Sequence, residues 1–323
     1  MTKRIILLAL IFLMVGEISA QQIPNWSSFY ENGFIWNPAL TAKWYNWEVA
    51  ATHRKEWTGF DDAPEYSTIS FQFPFVKQQT RVSFGAYLEQ DKVGPFQNTS
   101  VAGTYAYRFG PKWFGNKDDV FTLGVLGKVG QFRFNPTSLT FFDMGEAARI
   151  VEVMGEDRVS GNMGLGLFYI SVSDFYSFKS HYYVGLSANQ IIPNRLASLG
   201  NLGTIDSQVH ATAHIGYRYF PHRRDYYFEP NVLLTYGYQN AWNVMFNFRY
   251  EKQDAYWAGA GLVTNGELFV QGGLMFDEDT FLGGMVNDGI LKIGFKVDYN
   301  VLSLRRYATP GYEIYMAYMF ELE

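Results

Sequence analysis

The chain of 323 residues carries 26 basic and 31 acidic side chains with no long basic run, so the phosphate-neutralising footprint of a nucleic-acid binder is missing. It has no cysteine, which excludes disulfides and thiolate metal sites. Aromatic residues make up 18% of it beside 31 glycines, an unusual mixture for a soluble enzyme.

The first twenty residues, "MTKRIILLALIFLMVGEISA", read as a signal peptide. Lys3 and Arg4 form a charged start, Ile5 to Val15 an apolar run too short to span a bilayer as a helix, and Ser19-Ala20 a small-residue exit before Gln21. Residues 21–44 follow as an N-terminal periplasmic or plug segment, and 45–323 as the folded body. No later stretch reaches ~18 uninterrupted apolar residues, so no transmembrane helix is predicted.

From there the pattern is strict alternation, the mark of strands whose successive side chains point to opposite faces. In chain order the segments are 45–54, 66–75, 80–90, 98–109, 119–133, 160–171, 180–189, 208–219, 225–236, 240–250, 256–264, 267–276, 289–299 and 312–322. In "TISFQFPF", Ile69, Phe71, Phe73 and Phe75 oppose Ser70 and Gln72. In the closing "GYEIYMAYMFELE", Tyr312, Ile314, Met316, Tyr318, Phe320 and Leu322 oppose Glu313, Tyr315, Ala317, Met319 and Glu321. One face is as apolar as lipid and the other carries ions.

A soluble sandwich would bury the aromatic face between sheets and turn the charged face to water. The number of such strands, the aromatics at their ends and the leader instead fit a transmembrane antiparallel β-barrel of about fourteen strands in outer-membrane lipid. Only helices or closed barrels satisfy backbone polar groups in hydrocarbon, and no spanning helix is present in the pattern. An even strand count is what a barrel with both termini in the periplasm requires; with the N-terminus there, most long links, 55–65, 134–159, 190–207 and 300–311, fall outside the cell, and 277–288 is a long link on the periplasmic side. Asn265-Gly266 is predicted as a two-residue type I′ turn pairing Val263 with Leu268 and Thr264 with Glu267.

The inward face is expected to carry Arg81, Glu89, Arg108, Lys128, Arg249, Lys292, Lys296, Asp298, Glu313 and Glu321. Buried ions of both signs must be paired or hydrated. Pairing implies a filled interior, and hydration a wet pore for small solutes; both readings stand. His210 and His214 in "HATAH" lie on a strand, where four residues at ~3.3 Å each separate them by about 13 Å, too far for one metal. No metal, cofactor or catalytic residue is expected, and the G-x-S-x-G nucleophile turn is absent. The glycines of "GNMGLGLFYI", Gly161, Gly164 and Gly166, precede no helix and are read as relieving crowding or permitting bends in a strand.

The motifs "WNPAL" (Asn37, Pro38, Ala39), "HRKEWTGFDDAPEYSTISFQFPF" (Arg54, Trp57, Gly59, Ala63, Pro64), "DKVGPFQNTSVAGTYAYRF" (Gly94, Pro95), "HYYVGLSANQIIPN", "FEPNVLL" and "DYNVLSLRRYATPGYEIYMAYMF" occur in this order. Together they make the chain resemble the PorP/SprF family of type IX secretion outer-membrane proteins over essentially its whole mature length. Glu56, where an amide is expected, and the "FELE" ending depart from the family pattern. The resemblance implies a non-enzymatic secretion component in the outer membrane, associated with gliding motility. Its implied partners are the C-terminal domain of secreted adhesins and periplasmic ring or motor components. Arg54 at the end of the first strand and Trp57 and Phe60 in the first outer link are the candidate partner-binding residues, because Trp and Arg often anchor interfaces. Capping of the barrel mouth is the plainer role for the two aromatics.

Overall fold

The computed structural model describes residues 29–43, 45–75, 81–112, 118–135, 158–172, 178–198, 204–237, 242–278, 289–301 and 309–320. The leader, Glu321 and Leu322 lie outside this set. Fourteen antiparallel strands close into one barrel. They are β1 (Trp47–Lys55), β2 (Glu65–Pro74), β3 (Val82–Val93), β4 (Phe96–Phe109), β5 (Val120–Phe134), β6 (Arg158–Ile170) and β7 (His181–Asn189), then β10 (His210–Arg218), β11 (Tyr226–Tyr236), β12 (Trp242–Lys252), β13 (Tyr256–Val263), β14 (Glu267–Phe276), β15 (Gly289–Asn300) and β16 (Gly311–Phe320). Between β7 and β10 a small hairpin, β8 (Arg195–Ser198) with β9 (Thr204–Asp206), forms its own two-stranded sheet beside β6, within the long link 190–207. The first and last strands close the seam over nine pairs from Trp47↔Phe320 to Lys55↔Tyr312.

The alternation read from sequence is the alternation of the wall. Ile69 is 61% exposed and Ile314 46%, while Ser70 and Glu313 beside them are buried. Every outward position of β16 between Tyr312 and Phe320 is apolar or aromatic, and its inward positions are buried. This is the reverse of a soluble fold, since Arg54, Glu229 and Glu313 sit inside at 1% exposure or less while Ile, Leu, Val and Phe face out. Hydrocarbon is the solvent that rewards such an outside. Where the terminal strands begin and end, the rings of Trp47, Phe71, Phe73, Phe84 and Tyr105 run in contact across four neighbouring strands. Aromatic girdles of this kind mark a membrane interface.

The hairpin at Asn265-Gly266 differs from expectation. Leu262 pairs with Leu268, so the loop has three residues, Thr264 to Gly266, and not two. Gly266 adopts φ +91 and its N–H bonds the Val263 carbonyl at 2.9 Å, the geometry of a type I turn closed by a left-handed glycine. The consequence is a change of face: Val263 and Glu267 point inward and Leu268 outward. A one-residue slip would have turned Glu267 toward lipid, and the alternation of both strands outweighs the preference of the Asn-Gly pair.

Candidate functional site

The lumen holds the N-terminal segment. Gly33–Trp36 makes one helical turn and Pro38–Leu40 a 3-10 turn, with Asn37 between them. Asn37 is fully buried: its Oδ1 accepts the Ala39 N–H at 3.0 Å, and its Nδ2 donates to the carbonyls of Leu167 and Leu186. The Trp36 carbonyl accepts from Ser187 (2.8 Å) and Asn189 (2.7 Å), the Thr41 carbonyl accepts from Arg108, and Gln72 accepts from the Ala42 N–H. Asn32 reaches Thr52 at 2.7 Å. The "WNPAL" stretch thus meets the wall through its own backbone and one amide.

Two wall glycines make that approach possible. A Cβ on Gly166 would overlap Asn37 and crowd Pro38, and one on Gly124 would overlap the backbone of Pro38 and Ala39. Two cavities beside the segment measure about 10 and 20 Å³, each with room for a single water at most.

Around it most of the inward charges are paired. Arg54, at the end of β1, meets Glu56 (3.1 Å), Asp298 (3.0 Å), Glu267 (3.5 Å) and Glu313 (3.5 Å), and Lys296 bonds Glu267 at 3.0 Å. Glu89 takes Lys128, Ser100 and Tyr66 together. Arg249 bridges Glu31 of the inner segment and Glu251, both at 2.5 Å, and lies over the rings of Tyr30 and Trp257. Arg108 also bonds Ser83 at 2.8 Å and stacks on Tyr45. Lys292 is half-buried and lines the larger of the two cavities. Arg81, expected on the lumen face, instead stands exposed one residue before β3, where the inward series has not yet begun.

Sequence reasoning passed over Arg218 and Glu229, a buried pair at 2.7 Å to which Tyr183 donates at 2.5 Å. Arg218 has the same parity on β10 as His210 and His214, so the alternation already placed it inside. The two histidines are buried singly: His214 packs against Phe29, Phe168 and Tyr183, and the described residues hold no cluster suited to a metal. In the inner segment Lys43 donates to the Tyr30 carbonyl at 2.6 Å. Burial, with the Arg218 charge adding to it, pushes its amine down to about 8.

The remaining motif residues gather at the barrel end away from the termini. Trp57 has φ +46 and is half-buried, and Phe60 is 45% exposed. The Gly59 N–H bonds Thr309 at 2.6 Å, tying the first link to the last, and the Pro64 carbonyl accepts from Glu56, with Ala63 buried beside it. Gly94 and Pro95 form the β3–β4 turn, and the Gly94 N–H reaches the Asp62 carbonyl at 3.2 Å. One edge of the mouth therefore unites Trp57, Phe60, Gly94 and Pro95.

A closed wall with ions inside and hydrocarbon-seeking side chains outside defines an outer-membrane β-barrel protein, and the inner segment makes it one with an occupied lumen. The family description "Type IX secretion system membrane protein PorP/SprF" matches residues 18–318, and the chain belongs to that family. It is a membrane component of type IX secretion, a family that is not an enzyme family. No curated protein sequence matches it. Among solved structures, the CymD monoaromatic hydrocarbon channel is similar at TM-score 0.52 and 10% identity, over 90% of this chain and 92% of that one. A Pseudomonas aeruginosa FadL homologue aligns at 0.47 and 11% over 93% and 95%, and the NanC porin at 0.43 and 8% over 85% and 100%. At these identities the likeness extends to the barrel fold.

Proposed function

We propose that the protein is a non-enzymatic scaffold that holds secreted cell-surface adhesins by their C-terminal domain and couples them to periplasmic ring or motor components, in support of gliding. The observation that carries this reading is the fastening of residues 29–43 inside the wall by buried hydrogen bonds and ion pairs. Such bonds cost several kcal/mol to break without replacement, so the lumen suits a fixed body better than a solute path. The termini are assigned to the periplasm and the end with Trp57 and Phe60 to the cell surface, in keeping with the longer links at that end. A porin or transporter for small solutes is the competing reading, supported by the channel function of the similar CymD barrel.

Trp57→Ala tests the scaffold. The barrel is expected to fold, while capture of a secreted protein weakens by about 2 kcal/mol if the ring is a central anchor. Surface display of adhesin, with mass spectrometry of proteins co-purified from native membranes, measures the outcome. Unchanged display with an intact Trp57→Ala barrel would remove this residue from the partner surface.

A further inference from the structure

Inside the barrel the lumen face of β3 to β6 mixes polar groups, Ser83, Glu89, Ser100 and Lys128, with a buried apolar cluster that includes Tyr87, Ala102, Leu126 and Phe168. At the mouth the same side of the sheet carries Val93, Phe96, Phe132 and Phe134. Phe96 stacks on Phe132 with ring centroids 5.7 Å apart and lies 5.5 Å from Phe134, and Val93 beside them is 45% exposed. At this end β3 to β6 run on past β7, since β6 pairs with β7 only from Leu165 to Ile170 while Arg158 to Gly164 continue along β5. Phe96, Phe132 and Phe134 continue the inward parity of their strands and are half-buried.

One step below the shelf stands Asp91, which continues the lumen-facing series after Glu89 and pairs across the sheet with Tyr66 and Asn98. Its Oδ1 is buried and has no hydrogen-bond partner. The nearby cations are committed elsewhere, Lys128 to Glu89 and Lys92 to Asp62. An acid side chain with an idle oxygen, next along the inward face to the Val93–Phe96 pair, is complementary to an ammonium or guanidinium group, whose charge meets the acid and whose methylene stem lies along the apolar side chains. The Gly94 N–H bond to Asp62 places the Trp57–Phe60 link at the edge of the same shelf.

We propose that the mouth formed by Val93, Phe96, Phe132, Phe134 and Asp91 binds an extended polypeptide segment through a lysine or arginine flanked by apolar side chains. The assignment rests on the scaffold reading and supplies the chemistry of its partner. A free small cation would satisfy Asp91 but leave the exposed Val93 and the half-buried rings beside it uncovered, and an acidic segment would place like charges together.

The test uses the full mature barrel in detergent and two fluorescein-labelled decapeptides, one with a central lysine between leucines and one with glutamate in its place. Anisotropy titration is expected to show the lysine peptide binding about tenfold tighter or better. Asp91→Asn should abolish that preference, and Phe132→Leu should weaken the lysine peptide while heat-modifiable gel migration shows both variants folded. Equal binding of the two peptides to the unmodified protein, or a preference that survives Asp91→Asn, overturns the proposal. In cells, normal adhesin display by Asp91→Asn alongside lost display by Trp57→Ala would overturn this site and leave the scaffold standing. Normal display by both would overturn the two together.

Discussion

Arg54 shows how much a single side chain settles in this interior. Its guanidinium lies among four carboxylates from β14, β15, β16 and the first link, at 1% exposure. A buried ion is tolerated when its partners surround it, and removing one member strands the rest. Arg54→Met should therefore destabilise the barrel by about 3–5 kcal/mol, against an order of 1 kcal/mol for loss of an exposed pair such as Lys92 with Asp62. Urea unfolding followed by heat-modifiable migration reads the difference, and equal midpoints for Arg54→Met and Lys92→Ala would show that the carboxylates are hydrated. The sequence disclosed that Arg54 belongs to a motif and that Glu313 points inward. It did not disclose that the two meet, because pairing across the seam joins residues 259 positions apart.

At the scale of the element, each strand is legible because its period is two and its two faces meet different solvents. The final strand offers the direct trial. Ile314 faces lipid, so Ile314→Arg should impair assembly, a cation near the bilayer midplane costing about 2–4 kcal/mol. Ala317 faces the lumen beside Ala50 and Tyr315, and Ala317→Ser should cost about 1 kcal/mol or less. Folding yield in heat-modifiable gels checks both, and a severe serine variant with a harmless arginine would reverse the faces. Legibility ended where a second element enters. Gly166 reads as crowding relief or a bend within its strand, and Gly124 carries no signal at all, whereas both are crowded by Asn37, Pro38 and Ala39, more than eighty residues upstream. The three-residue turn at Thr264 to Gly266 was hidden for a related reason: a favoured dipeptide suggests a turn, but register belongs to whole strands.

For the whole molecule, the decisive property is that the interior is occupied. Both small cavities beside the inner segment are of water size, and the segment is bonded to β1, β2, β4, β6, β7 and β12. Planar-bilayer recordings of the purified protein should show no large steady conductance, and deleting residues 29–43 should raise it. Stable porin-sized currents from the intact protein would move the solute-channel reading ahead of the scaffold. The barrel, the inward and outward faces of its strands and the family were open to sequence reading. The secreted partner and the aromatic shelf at the mouth were not, since Val93, Phe96, Phe132 and Phe134 become a surface only when four strands outrun their neighbour.

The seam between β1 and β16 carries a further consequence, for the order of events in assembly. The inner segment leads directly into β1, and β1 finds its second neighbour only in the last strand. Contacts so distant along the chain carry the largest loop-closure cost and form late. Until β16 arrives, the wall is an open sheet with two free edges, and residues 29–43 can settle against it from the side. Once the nine seam pairs have formed, the same segment is enclosed by covalent chain at one end and by a hydrogen-bonded hoop around it. The barrel is thus laced around its contents like a stave-built cask, and what it contains is decided before the last stave is set.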